Sequence, residues 1–358
     1  MLFQPYTLGD LTLRNRVVMA PMTRNRANSD NVPTPIMAGY YAQRAGVGLI
    51  VTEGTSPSPD GLGYPRIPGL FNAAQVEGWR AVTDAVHAAG GRIFVQLMHT
   101  GRVSAAANLP EGARVVGPSP EPLGESVYTD AAGMQPAAPP HPLTAQEIAG
   151  VVEEYAASAR LAMEAGFDGV ELHGANGYLI EQFLNANVNL RDDGYGGSGA
   201  ARNRFALEVA RATAEAIGGS RVGIRLSPYG VFNQTGPFEG IDEQYVELAR
   251  GLGALGLVYL HLVDHSSMGA PEVPGGFVAS LREAFGGTFI ASGGLDRERA
   301  EALLAAGAAD LCAFGRPVLA NPDFVERIQK GAPLNDPDPD TFYTPGAKGY
   351  TDYPAMAG

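Results

Sequence analysis

Cysteine, lysine and basic clusters are what this chain has least of. Its 358 residues hold one cysteine, Cys312. An intrachain disulfide is therefore excluded, and the apolar setting Asp310-Leu311-Cys312-Ala313-Phe314 reads as a buried strand position. Only two lysines occur, Lys330 and Lys348. No Lys/Arg-rich run appears, and the formal charge is −13 with a pI near 4.9. This balance argues against a nucleic-acid partner and against an anionic lipid surface. It does not exclude an anionic cofactor, because a few local arginines can make a pocket of opposite sign. No apolar stretch is long enough to span a membrane, and the N-terminus lacks a basic region followed by a long apolar run. The chain reads as cytoplasmic, with no membrane partner, and as a monomer or homodimer.

What is present is a regular alternation. Short apolar runs cover Arg16–Met22, Leu49–Thr52, Ile93–Leu97, Gly169–Leu172, Val222–Leu226, Leu257–Leu262, Thr288–Ala291 and Leu311–Phe314. Amphipathic helical patterns lie between them, among them Thr144–Ala165, Ala201–Ile217, Asp242–Leu252 and Arg297–Ala306. Thr144 and Glu147 form a capping box at the start of the first of these. Eight β-then-α units with near-continuous apolar strands predict an α/β fold, a single (β/α)8 TIM barrel. A doubly wound sheet is the alternative, and it rarely needs eight such regular units.

Three segments fall outside the pattern. Residues 1–15 read as a hairpin closing the barrel bottom, with Leu2-Phe3 and Leu11-Thr12-Leu13 around Gly9-Asp10. Residues 100–143 form a Pro/Gly/Ala-rich excursion after the third strand, and loops of this length tend to be lids or binding loops. Residues 331–358 form an irregular C-terminal tail rich in Pro, Asp and Tyr. No linker divides the chain, so residues 1–358 read as one domain.

In such a barrel the chemistry gathers at the C-terminal strand ends. Those ends carry Pro21-Met22-Thr23-Arg24, Glu53-Gly54-Thr55, Gln96 with His99, His173 with Asn176, Arg225, His261 with Asp264-His265, Ser292-Gly293-Gly294 and Gly315-Arg316. Gly293 and Gly294, with Gly315 and Arg316 one strand later, make an anion cradle at the usual phosphate site of the fold. Thr23, Gly54, Gln96 and Arg225 suit a flat heterocycle with several carbonyls and ring N–H groups. His173, Asn176 and Tyr178 leave one strand end together. They can grip a carbonyl oxygen and deliver a proton near it.

The motifs Ala20-Pro21-Met22-Thr23-Arg24, Thr52-Glu53-Gly54, Gln96-Leu97, His173-x-x-Asn176-Gly177-Tyr178, Arg191-x-Asp193-x-Tyr195-Gly196-Gly197-Ser198, Arg225-Leu226-Ser227-Pro228 and Phe314-Gly315-Arg316-Pro317 occur in this order. Together they resemble the Old Yellow Enzyme family of FMN-dependent ene-reductases. The resemblance extends to the Tyr350-Thr351-Asp352-Tyr353-Pro354 tail. It implies that Thr23 bonds flavin O4 and that the backbone at Pro21, Met22 and Gly54 lines the isoalloxazine. It further implies that Gln96 and Arg225 hold the pyrimidine edge, and that Gly293, Gly294, Gly315 and Arg316 take the phosphate. A second branch of the family carries cysteine where this chain has Thr23.

The implied activity is an NADPH:alkene oxidoreductase, with NADPH or NADH as reductant. It reduces the C=C bond of an α,β-unsaturated carbonyl or nitro compound. Hydride comes from reduced flavin N5, and a proton comes from Tyr178. His173 and Asn176 then bind the substrate oxygen, while Tyr64 and Tyr350 match aromatic positions beside the substrate. Met98 departs from the aromatic residue common at its position.

Other readings carry less. Gly251-x-Gly253-x-x-Gly256 fits a dinucleotide fingerprint, but it follows a helix and precedes a strand, the reverse of the required order. His261, Asp264 and His265 lie on a strand and loop, where their spacing fixes no metal site. A Schiff-base aldolase lacks its strand-end lysine. A sugar-phosphate isomerase and a flavin-binding redox sensor remain as alternatives, and the latter would need no Tyr178.

Overall fold

The computed structural model describes residues 1–356. Eight parallel strands close into a barrel in sequence order. They are β1 Val17–Met19, β2 Leu49–Thr55, β3 Ile93–Leu97, β4 Gly169–Gly174, β5 Val222–Leu226, β6 Tyr259–Val263, β7 Thr288–Ser292 and β8 Leu311–Phe314. All eight runs become strands; Ile93–Leu97, Val222–Leu226 and Leu311–Phe314 keep their expected ends and the other five shift. β1 stops at Met19 because Pro21 has no N–H to continue the ladder. β2 runs on to Thr55 through a register shift between Val51 and Gly54. β4 reaches Gly174, so His173 is a strand residue. The helices Ala145–Glu164, Gly199–Ile217, Ile241–Ala254 and Arg297–Ala305 match the amphipathic patterns. Thr144 and Glu147 form the capping box, and Gly251–Gly256 is a helix end and turn, with Gly256 at φ 72°.

The period of two along each strand sorts side chains between two cores. One set, with Ile50, Val95, Leu172, Ile224 and Leu260, packs against the helices. The other fills the barrel bottom with Val18, Leu49, Val51, Phe94, Tyr259, Ile290 and Leu311. The N-terminal hairpin pairs Tyr6–Leu8 with Leu11–Leu13 and adds fully buried Leu8 and Leu13 to this inner cluster. It plugs the lower end.

The 100–143 excursion contains more order than its composition suggests. Ser126–Thr129 pairs with Gly133–Pro136, and Val116–Gly117 with His141–Pro142. Arg191 ties its middle to its C-terminal end, Nη1 donating to the Pro118 carbonyl at 2.8 Å and the Leu143 carbonyl at 2.6 Å. The tail returns across the top of the barrel, pinned by buried arginines. Arg24 donates to the carbonyls of Phe342 and Gly349, Arg26 to those of Thr341 and Phe342, and Arg44 to that of Tyr350. No helix among the described residues is long and apolar enough to cross a membrane.

Candidate active site

A cavity of about 560 Å³ opens at the C-terminal strand ends. Pro21, Met22, Thr23, Gln96, Arg225, Gly293, Gly294, Gly315 and Arg316 wall it on the side expected for a cofactor. Tyr64, Met98, His173, Asn176 and Tyr178 wall the remainder.

His173 is buried, and its Nδ1 accepts the Ala175 N–H at 3.2 Å. The ring proton therefore resides on Nε2. Burial, then the charges of Arg225, His261 and His265, hold its pKa well below the usual histidine range. His173 is thus a neutral donor. Asn176 adopts φ 60°, and Gly177 follows at φ 73°. Two consecutive left-handed residues turn the chain sharply between the strand and the helix Leu179–Leu184. The turn is held from behind. The Asn176 N–H donates to Ser227 Oγ at 2.9 Å, and the Gly177 N–H to Glu181 at 2.6 Å. The Asn176 carbonyl accepts Asn233 Nδ2 at 2.7 Å. The sharp turn brings Tyr178 back over His173, ring centroids 4.9 Å apart. Burial pushes the Tyr178 phenol up to about 12, opposed by its hydrogen bond with Tyr64.

The other wall is short of partners. Arg225 is 7% exposed, yet its buried Nε meets no acceptor. Orphaned buried donors are rare, and one on a guanidinium points to an absent anion or carbonyl group. Gln96 gives its amide N–H to Glu171 at 2.8 Å, leaving its oxygen as an acceptor. Gly293 and Gly294 adopt φ 119° and 57°. A Cβ on Gly293 would collide with the Asp264 carbonyl. On Gly315 it would meet nothing nearer than Met22 Sδ at 3.4 Å, so space is left beside exposed Arg316. Unpartnered Arg225, an acceptor from Gln96 and an open Gly/Arg cradle fit a heterocycle bearing a phosphate, as FMN does.

Two sequence-derived positions lie elsewhere. Tyr350 is fully buried away from the cavity, its ring stacked on Tyr40 at 4.0 Å with Arg24 and Arg26 over its face. The tail instead places Phe342 and Tyr343 in the wall. Gly54 is covered by Met98, whose Sδ occupies the place of a Cβ. Gly54 supports Met98 and does not itself line the cavity. His261 points down into the barrel, bonded to Glu171, while His265 stays at the mouth edge-on to Phe232. Phe232, Met268 and Tyr343 also line the cavity, and each comes from a connection with no local motif to signal it.

A model of the NADH:flavin oxidoreductase / NADH oxidase family matches residues 1–335. The chain is 42% identical to 12-oxophytodienoate reductase 2 of Arabidopsis thaliana, covering 99% of this chain and 96% of that protein. It is equally 42% identical to a probable flavin mononucleotide-dependent alkene reductase of Leishmania infantum, covering 99% and 98%. Morphinone reductase superposes with a TM-score of 0.95 at 44% identity, covering 99% and 96%. A structure of that enzyme holds tetrahydroNAD.

Proposed function

The chain belongs to the NADH:flavin oxidoreductase / NADH oxidase family, within it to the Old Yellow Enzyme type, and on that premise we propose that it reduces activated alkenes with FMN and a nicotinamide. One observation carries the reading: neutral donor His173, Asn176 and protonated Tyr178 share one cavity with unpartnered Arg225. Thr23, Gln96 and Arg225 would hold the flavin ring, with Pro21 and Met22 against it. Gly293, Gly294, Gly315 and Arg316 would hold its phosphate. When bound, FMN supplies hydride chemistry: it takes hydride from NADPH or NADH and passes it to the alkene. Tetrahydro-NAD in morphinone reductase supports a nicotinamide that uses the same cavity.

The protein's part is placement and polarisation. His173 Nε2–H and the Asn176 side chain bind the substrate carbonyl or nitro oxygen, where negative charge grows. A well-placed donor of this kind stabilises by roughly 3–4 kcal/mol. Neutrality suits His173, because a charged imidazolium would give up its proton to the growing oxyanion. Tyr178 protonates the α-carbon. Its raised pKa keeps the proton in place until a carbanion-like centre demands it. Tyr64, Met98, Phe232 and Tyr343 shape the space for an enone, enal, maleimide or nitroalkene.

The test is an anaerobic visible spectrum, before and after NADPH, then after 2-cyclohexenone. A yellow protein that bleaches and regains colour supports each part of the reading. Bleaching without recovery rejects the alkene acceptor. Failure to take up FMN rejects the cofactor and favours a sugar-phosphate barrel.

A further inference from the structure

The barrel interior is apolar at its base and open at its top, with one polar layer between. Glu171 on β4, Gly223 on β5 and Tyr259 on β6 stand in register across three strands. A Cβ on Gly223 would overlap the Tyr259 ring. Glycine there lets the ring cross β5 so that its hydroxyl donates to Glu171 Oε2 at 3.0 Å. His261 Nδ1 lies 2.8 Å from the same oxygen, and Gln96 Nε2 donates to Oε1 at 2.8 Å. Glu171 and His261 are both fully buried.

Burial would raise the Glu171 carboxyl, but His261, Arg225 and the Gln96 hydrogen bond outweigh it and hold it below the usual glutamate range. Burial lowers His261 despite Glu171. Three donors, the Tyr259 hydroxyl, the Gln96 amide and His261 Nδ1–H, converge on Glu171, the arrangement an ionised carboxylate calls for. His261 Nε2 lies 3.1 Å from Ser292 Oγ, which donates to the Leu262 carbonyl at 3.3 Å. Two consequences follow. An ionised carboxylate only accepts, so the Gln96 amide cannot flip and must present oxygen to the cavity. And the buried positive charge of Arg225, which makes no hydrogen bond to Glu171, has a fixed negative charge nearby on the next strand.

We propose that Glu171 is a positioning residue: it locks the acceptor face that Gln96 turns toward the flavin pyrimidine edge, and it offsets Arg225 so that the flavin is held at a lower reduction potential than Arg225 alone would set. The proposal rests on FMN occupying the cavity. Reduction places negative charge on the side of the ring nearest Arg225. Arg225 favours that state and Glu171 opposes it. Tyr259 and His261, by donating to Glu171, moderate the opposition.

The measurement is the flavin midpoint potential of the holoprotein by anaerobic spectroelectrochemistry, with FMN dissociation followed by fluorescence. Glu171→Gln should favour reduced over oxidised FMN about tenfold, a shift of ~30 mV upward for a two-electron couple. Tyr259→Phe should move the potential the other way, because the carboxylate loses a neutralising donor. A role confined to packing would move neither in this pattern. If Glu171→Gln takes up no FMN, Tyr259→Phe decides: a lower potential supports the proposal and an unchanged one overturns it. A wild-type potential in an FMN-loaded Glu171→Gln variant also overturns it. Failure of the unmutated chain to bind FMN would instead strike the cofactor reading and bring the proposal down with it.

Discussion

The hydroxyl oxygens of Tyr64 and Tyr178 lie 3.1 Å apart, with their rings nearly perpendicular. The two phenols come from loops after different strands, 114 residues apart in sequence, and they share a proton position at the cavity wall. Tyr178→Phe should spare flavin reduction and slow alkene reduction about 10²–10⁴-fold. Stopped flow separates the half-reactions, and equal slowing of both would remove Tyr178 as the donor. The phenol titrates only near pH 12. Alkene reduction in the wild type should therefore show no loss of this proton between about pH 6 and about pH 9.

Glu181 holds the turn that presents Asn176. It accepts the Gly177 N–H at 2.6 Å and the Ser227 hydroxyl at 3.0 Å. Burial, opposed by those bonds, raises its carboxyl to about 8 from an ordinary 4.5. The folded chain therefore keeps this proton while the unfolded chain loses it. The resulting stability is complete below the unfolded pKa and is lost as pH rises through the folded one. Glu181→Gln abolishes the titration while retaining an acceptor. The stability difference between wild type and variant should drift against the wild type by on the order of 2–4 kcal/mol between about pH 4.5 and about pH 8. A gap in unfolding free energy that is constant with pH would refute the assignment.

Met98 rests where a side chain on Gly54 would be. Gly54→Ala should push Met98 into the cavity and weaken FMN or enone binding about tenfold or more, through overpacking of roughly 1–3 kcal/mol. Adding Met98→Ala should restore much of that loss. Titration of the single and double variants gives the coupling, and additive effects would show that the two residues do not meet.

Tyr350 has its hydroxyl buried without a partner and its ring sandwiched between Tyr40 and arginines. Tyr350→Phe should leave kcat and KM for an enone unchanged within about twofold, since surface and core hydroxyl losses without a partner cost little. Tyr343→Ala should raise KM. A large catalytic loss from Tyr350→Phe would return that residue to the substrate site.

Much of this organisation is encoded locally. The eight apolar runs, the Thr144–Glu147 cap and the burial of Cys312 all follow from short-range pattern. So do the Gly293-Gly294 and Gly315-Arg316 cradle residues, because a closed parallel barrel brings every strand end to one rim. The order of His173, Asn176 and Tyr178 also survives folding, since all three belong to one strand and its exit turn.

Other features depend on which distant segments meet. Tyr350 and Tyr343 are seven residues apart in an irregular tail, and buried Arg24, Arg26 and Arg44 decide which of them reaches the cavity. Gly54 looks like a ligand-approach glycine until Met98, two residues beyond its strand partner Gln96 and just past the end of β3, takes its space. The Glu171 layer is decided the same way: its four members stand on three strands, and only barrel closure brings their side chains into one desolvated plane. Sequence determined which residues face inward, through the period of the strands. The tertiary structure decided which of those inward groups share a charge, because hydrogen bonds and Coulomb forces act across space and burial strengthens them.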